Sequence, residues 1–175
     1  MGESINIGQW AARKESRFLR KLEDLERKWD KASTEKRANH PFPYEPKTTF
    51  VGFGMCEIAS AALAWGVKSK FGEQVDVTGI FRKVPNLDYG HMIVHAGRQL
   101  EALTLDATHR QIFSHLPAKI MVFPTADEDT FYKGGRIFKH LPFHELMNKV
   151  TSAIHGGSYA GLTLGDFQQL ARTLR

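Results

Sequence analysis

The chain has 175 residues, a single cysteine and a formal net charge of +5 at pH 7. One cysteine excludes an intramolecular disulfide and a zinc site built from several cysteines. No apolar run is long enough for a transmembrane helix. No basic region followed by an apolar stretch opens the sequence, so we expect no secretory signal peptide and synthesis in a reducing cytoplasm.

The excess of basic residues raises the question of a nucleic-acid partner. Along residues 13–37, however, lysines and arginines alternate with acidic residues. A helix face of mixed sign is usually only solvated, which argues against nucleic acid. A non-enzymatic module that binds nucleic acid or protein through a basic surface or a helical arm is the alternative from another functional class.

The N-terminal part of the chain predicts one long helix over residues 7–32. Its large apolar side chains recur at helical spacing: Trp10, Phe18, Leu22, Leu25 and Trp29. This stripe packs on the body of the protein or binds a partner protein, and the pattern is compatible with both. A proline-rich linker follows at residues 39–46. We therefore divide the chain into a helical arm with linker, residues 1–46, and a main domain, residues 47–175.

The main domain begins with an alanine-rich helix that opens at Cys56 and ends near Gly66 or Gly72. Alternating patterns then predict four strands, at residues 75–84, 89–95, 100–105 and 119–123. Helices, then strands, then helices are typical of an α+β fold with an antiparallel sheet.

Three further elements complete this prediction. Phe131 and the segment 136–139 flank two glycines, which predicts a hairpin. Two short helices close the chain, one over residues 142–154 and one over 164–174, the second capped by Thr163.

Cys56 follows two glycines and begins a helix, and this position affects the reactivity of its thiol. The helix dipole and the unpaired N–H groups of the first turn stabilise a thiolate at this position. The backbone N–H of Cys56 is also a candidate donor to an oxyanion. The alternative is a buried cysteine that acts as a small hydrophobic residue.

A thiolate nucleophile needs a base and a group that orients the base, and His91 and Asp106 fit these roles. Both lie in a strand–turn–strand segment. A hairpin loop with an even number of residues places them on one face, directly opposite for four residues and one diagonal step apart for two. An odd-numbered loop would separate them. His95, on the same strand face, and His109 are rival bases.

His91, His95 and Asp106 also form a possible metal constellation, but no fourth ligand is evident. We therefore expect Cys56, His91 and Asp106 to be the catalytic residues, with neither a metal nor a cofactor.

The sequences around these three residues resemble one superfamily. They read Gly-x-Gly-x-Cys at Cys56, Gly-His-Met-Ile-Val-His at His91 and Leu-Asp-Ala-Thr-His-Arg-Gln at Asp106. This order resembles the papain-like and transglutaminase-like thiol enzymes. The fifteen-residue step from His91 to Asp106 is similar to that of arylamine N-acetyltransferases and of glutamine-deamidating bacterial toxins. The phrase after Asp106 is similar to those of papain-fold bacterial toxins and effectors.

The resemblance implies that residues 47–175 form a papain-like catalytic domain, in which a helix bearing the nucleophile packs on an antiparallel sheet. Cys56 would be the nucleophile, His91 the general base and acid, and Asp106 the orienting residue. The segment before Cys56 departs from the papain-like proteases because it has no glutamine or asparagine for the oxyanion hole. Backbone N–H groups would have to fill that role.

These observations predict a thiol hydrolase that cleaves an amide bond of a protein or peptide, as a cysteine protease or a glutamine deamidase does. An acyltransferase or transglutaminase on the same triad is the alternative within this chemistry. The toxin resemblance implies synthesis in the cytoplasm and delivery into another cell without a classical signal peptide. The N-terminal helix would then engage a carrier, chaperone or target protein.

Overall fold

The computed structural model describes residues 6–38, 55–85, 90–98 and 101–175. The proline-rich linker expected at residues 39–46 lies outside these ranges, as do the two glycines before Cys56. The two-domain division of the chain stays a prediction.

The N-terminal helix α1, Ile7–Ala38, is longer than expected. At its start, the Asn6 side chain accepts a hydrogen bond from the Gln9 N–H at 2.9 Å, which satisfies one of the unpaired donors of the first turn. The apolar stripe joins the main hydrophobic core, with four of its residues buried and Trp29 partly buried. The stripe therefore packs on the body of the protein, and a partner of α1 would have to use its other faces.

The second helix, α2, is Cys56–Phe71 and is buried along most of its length. It ends at Gly72, whose φ of +59° is a conformation that glycine adopts easily and other residues rarely do. Ser60 ties the helix to the sheet, because its hydroxyl donates to the Met92 carbonyl at 2.9 Å. The expected Ala-rich helix and its end at Gly72 are confirmed.

Five strands form one sheet in the order β4-β3-β2-β1-β5, with every neighbouring pair antiparallel. The strands are β1 Asp76–Lys83, β2 Gly90–Gly97, β3 Leu103–Asp106, β4 Met121–Pro124 and β5 Arg136–Pro142. This arrangement confirms the α+β class with an antiparallel sheet. None of the helices in the described ranges combines the length and apolar character that a membrane crossing requires.

The two faces of the sheet are covered differently. Helices pack on the face that carries Met92, Val94 and Leu105, including α4, Phe143–His155, and α5, Leu164–Arg172. On the opposite face, a smaller apolar cluster contains Ile93 and Tyr132. Side chains alternate along a strand, so His91 shares the second face with Ile93.

The C-terminal helix begins as its sequence predicts. The Thr163 hydroxyl accepts a hydrogen bond from the Asp166 N–H, and the Asp166 carboxylate accepts one from the Thr163 N–H. This capping box satisfies two donors that the helix leaves unpaired.

The hairpin expected around residues 131–139 is wrong. Glu128–Phe131 is instead a single-turn helix, α3, and β5 pairs with β1. Gly134 and Gly135 have φ values of +94° and +97°. A Cβ at Gly135 would lie 2.1 Å from the Lys83 carbonyl oxygen, so only glycine lets the chain cross so close to β1.

Candidate active site

The pairing of β2 with β3 decides whether His91 and Asp106 can meet. Ala96 pairs with Leu103 and Val94 with Leu105, so six residues lie between the last paired positions of the hairpin. The number is even, as the prediction requires, although the loop is longer than the two or four residues considered. His91 and Asp106 therefore lie on the same face, one diagonal step apart.

His91 and Asp106 form a hydrogen-bonded pair, with 2.7 Å between His91 Nε2 and Asp106 Oδ2 and both side chains fully buried. Three other groups donate to the same carboxylate. The Thr108 N–H lies 2.8 Å and its hydroxyl 3.3 Å from Oδ1, and the Tyr132 hydroxyl lies 2.7 Å from Oδ2. Every oxygen of this buried carboxylate thus has hydrogen-bond donors.

Both partners of this pair have shifted protonation equilibria. Burial raises the pKa of Asp106, but attraction to His91 and the hydrogen bonds outweigh burial and lower it below 3.8. Burial lowers the pKa of His91, but Asp106, with a smaller contribution from Cys56, outweighs this and raises it from 6.5 to about 10. At neutral pH, the pair is therefore a carboxylate and an imidazolium.

Cys56 lies beside this pair, at the first position of α2, with its side chain buried. Its thiol raises the pKa of His91 through a side-chain hydrogen-bond interaction and its charge, although the contact falls short of normal hydrogen-bond geometry. Among the described residues, His91 Nδ1 has no hydrogen-bond partner. Met55, at the N-cap, has no side-chain oxygen to accept from the first-turn N–H groups. The structure thus brings all three expected residues together.

The two rival histidines have other partners. His95 Nε2 donates to Glu128 Oε1 at 2.7 Å, and His109 Nε2 donates to the Pro117 carbonyl oxygen at 3.0 Å. Within the ranges that the structure describes, no group of three or more His, Cys, Asp or Glu residues is arranged to hold a metal ion.

Glu128 belongs to a second buried polar cluster on the same face of the sheet. Its carboxylate accepts from the Arg82 guanidinium at 3.4 Å and from the Thr104 hydroxyl at 3.1 Å, in addition to His95. Arg82 also donates to Asp129 and to the Gly134 carbonyl. His95 is thus part of a buried polar network that holds α3 to the sheet.

Two residues of the site were missed by the sequence reasoning. Thr108 had a signal, because an aspartate often accepts from the N–H two residues later. Tyr132 had none, since only the fold brings α3 against β3. Burial and the neighbouring Asp106 raise the pKa of Tyr132 well above 10, so its hydroxyl stays protonated and donates.

No family model, curated protein or solved structure matches this chain. The likeness to papain-like and transglutaminase-like enzymes stays a prediction. The case for a function therefore rests on the geometry of the site.

Proposed function

We propose that the protein is a thiol hydrolase that cleaves an amide bond of a protein or peptide, with Cys56 as nucleophile, His91 as general acid and base, and Asp106 as orienting residue. One observation carries this proposal. His91 is tied to Asp106 through Nε2, its buried Nδ1 has no partner in normal hydrogen-bond geometry, and Cys56 is near enough to raise the pKa of His91. His109 Nδ1 is also buried without a partner, so the interaction with Cys56 is what distinguishes His91.

The charge state of His91 suits the first step. An imidazolium beside Cys56, together with the positive end of α2, stabilises the thiolate. The thiolate sulfur then bonds to the carbonyl carbon, and the π electrons move to the oxygen. Backbone N–H groups of the first turn of α2 are the candidate donors to that oxyanion.

The same imidazolium serves as the acid in the second step. It gives its Nδ1 proton to the leaving nitrogen as the C–N bond breaks, which releases an amine or ammonia and leaves a thioester on Cys56. Neutral His91 then takes a proton from water, and the hydroxide oxygen bonds to the thioester carbon. The C–S bond breaks, which releases a carboxylic acid that loses its proton to solvent and restores the thiolate–imidazolium pair.

The test is the rate at which iodoacetamide alkylates Cys56 between pH 5 and pH 9, in the native protein and in His91→Ala. We expect fast alkylation of the native protein at pH 6, where an ordinary thiol is almost fully protonated. His91→Ala should be slower by about 100-fold at that pH. His95→Ala is the matched control and should react at the native rate. A Cys56 whose reactivity ignores His91 contradicts the proposal.

The products distinguish the possible reactions. The native protein would be incubated with a mixture of glutamine-containing peptides and compared with Cys56→Ala. Ammonia release indicates deamidation, new amino termini indicate peptide cleavage, and incorporation of a fluorescent primary amine indicates acyl transfer.

A further inference from the structure

One exposed aromatic side chain lies beside the candidate active site. Among the described residues, the fold leaves one large hydrophobic side chain exposed. This is Phe138 on β5, with 55% of its surface accessible to solvent. Its ring stacks on that of Phe81 on β1, with the ring centroids 5.6 Å apart and 29° between the planes. We call Phe81, Phe138 and the underlying Gly90 the aromatic shelf.

Gly90 links the shelf to the strand that carries His91, although the His91 side chain points to the opposite face of the sheet. A Cβ at Gly90 would lie 2.8 Å from the Phe138 ring, so a side chain there would force the ring away. The ring therefore lies against the backbone of the residue that directly precedes His91.

A second chain of contacts links the shelf to the nucleophile. Lys149 Nζ, on α4, lies 5.3 Å from the centroid of the Phe81 ring and 3.5 Å from Glu57 Oε1. Glu57 directly follows Cys56 in the first turn of α2. The shelf thus borders both the strand that carries His91 and the helix turn that carries Cys56.

Three basic residues lie on the strands that form the shelf, while the nearby Glu57 is paired with Lys149. Lys83, Arg136 and Lys139 are exposed, and strand β5 contains no acidic residue. Lys83 pairs with Gly90 in one neighbouring strand and with Arg136 in the other, and Lys139 pairs with Phe81. A segment that docks here therefore meets positive charge on both sides of an apolar surface, which favours acidic partners.

We propose that the aromatic shelf is the specificity site for the substrate. It binds an apolar side chain of an acidic polypeptide segment next to the amide bond that Cys56 attacks. This inference rests on the proposed thiol-hydrolase function. It assigns to Phe138 the apolar contact and to Lys83, Arg136 and Lys139 the preference for acidic residues.

The experiment uses peptidyl chloromethyl ketones, which report binding beside Cys56 without requiring turnover. The Cys56 thiolate displaces chloride, so a C–S bond forms and mass spectrometry measures the labelling rate. Three peptides of equal length are compared: one with a phenylalanine flanked by glutamates, one with alanine in place of phenylalanine, and one with lysines in place of the glutamates.

We expect the glutamate–phenylalanine peptide to label native Cys56 about tenfold faster than either analogue, the size of effect expected when one apolar side chain is partly buried. Phe138→Ala should remove the preference for phenylalanine. Arg136→Glu/Lys139→Glu should remove or reverse the preference for glutamate. Arg17→Glu/Arg20→Glu on α1 makes the same change in net charge and should keep both preferences.

Iodoacetamide tests the proposed thiol chemistry separately from the shelf, because it is too small to contact the shelf while it reacts with Cys56. If its reaction depends on His91 while all three peptides label Cys56 equally, the shelf is not a specificity site and the thiol pair stands. If its reaction ignores His91, the proposed function falls, and the shelf with it. A thermal unfolding curve checks that Phe138→Ala is folded. Phe138→Leu keeps an apolar side chain at this position and should keep part of the preference for phenylalanine.

Discussion

Two histidine–carboxylate pairs on the same face of β2 have the same bond length and different surroundings. His91 lies 2.7 Å from Asp106, and His95 lies 2.7 Å from Glu128. Glu128 also pairs with Arg82, whereas Asp106 receives, besides His91, only neutral donors. The negative charge of Asp106 therefore acts mainly on His91. Residue types alone do not distinguish the two pairs, and the other partners of each carboxylate do.

The largest expected effect comes from removing the charge of Asp106. Asp106→Asn keeps the shape of the side chain but no longer favours an imidazolium at His91. We expect the alkylation rate of Cys56 at pH 6 to fall by about 100-fold. An alkylation rate at the native level would show that Asp106 does not orient or charge His91.

Removing the charge of Glu128 should have the opposite effect, because it should lower stability and leave the reactivity of Cys56 nearly unchanged. Glu128→Gln leaves the buried Arg82 with less compensating charge, and we expect a loss of about 3 kcal/mol in the free energy of unfolding. Urea unfolding measures this loss, while Cys56 alkylation should stay within about twofold of the native rate. Asp129→Asn removes an exposed partner of the same arginine and should cost less than about 1 kcal/mol. A large loss of alkylation in Glu128→Gln would erase the distinction between the two pairs.

The pH dependence of stability should also test the charge state of the His91–Asp106 pair. The folded protein raises the pKa of His91 from 6.5 to about 10, so between these values it holds a proton that the unfolded chain releases. The stabilisation is complete below pH 6.5 and is lost as the pH rises through about 10. We expect the free energy of unfolding to fall by about 1 kcal/mol per pH unit in this window.

His91→Gln should flatten this slope. Urea unfolding at pH 6.5, 8 and 9.5 measures the slopes. Equal slopes in the native protein and in His91→Gln would mean that His91 does not hold the proton.

The smallest expected effect is that of Tyr132→Phe, which removes one hydrogen bond to Asp106 and keeps the ring. We expect a cost of about 1 kcal/mol in stability. If Tyr132 positions Asp106, the pH profile of Cys56 alkylation should also move by a few tenths of a unit. An unchanged profile would limit Tyr132 to a structural role.

Much of the site could be predicted from the sequence because its signals are local. Cys56 opens a strong helix, and His91 and Asp106 lie on adjacent strands of one hairpin, where parity alone decides which face they share. The helix N-cap at Thr163 could likewise be predicted from the local sequence. These features depend on residues within one or two neighbouring elements.

The features that were missed depend on distant parts of the chain. Glu128–Phe131 is helical although its neighbours alternate like a strand, because Glu128 is held by Arg82 and His95 and Phe131 packs on Phe113 and Phe123. No local pattern encodes these contacts. The same holds for β5, whose partner is β1 rather than the preceding segment.

The position of β5 at the edge of the sheet has a consequence for how the chain folds. Strands β1 to β4 follow one another as a meander and can pair as they are synthesised, but β1 receives its second neighbour only after α3 and the glycine turn are in place. Such non-local pairing is slow to form. Until then, the outer edge of β1 has unpaired N–H and C=O groups, which can template pairing with another chain. The last strand to join the sheet thus covers an edge that could otherwise pair with another chain.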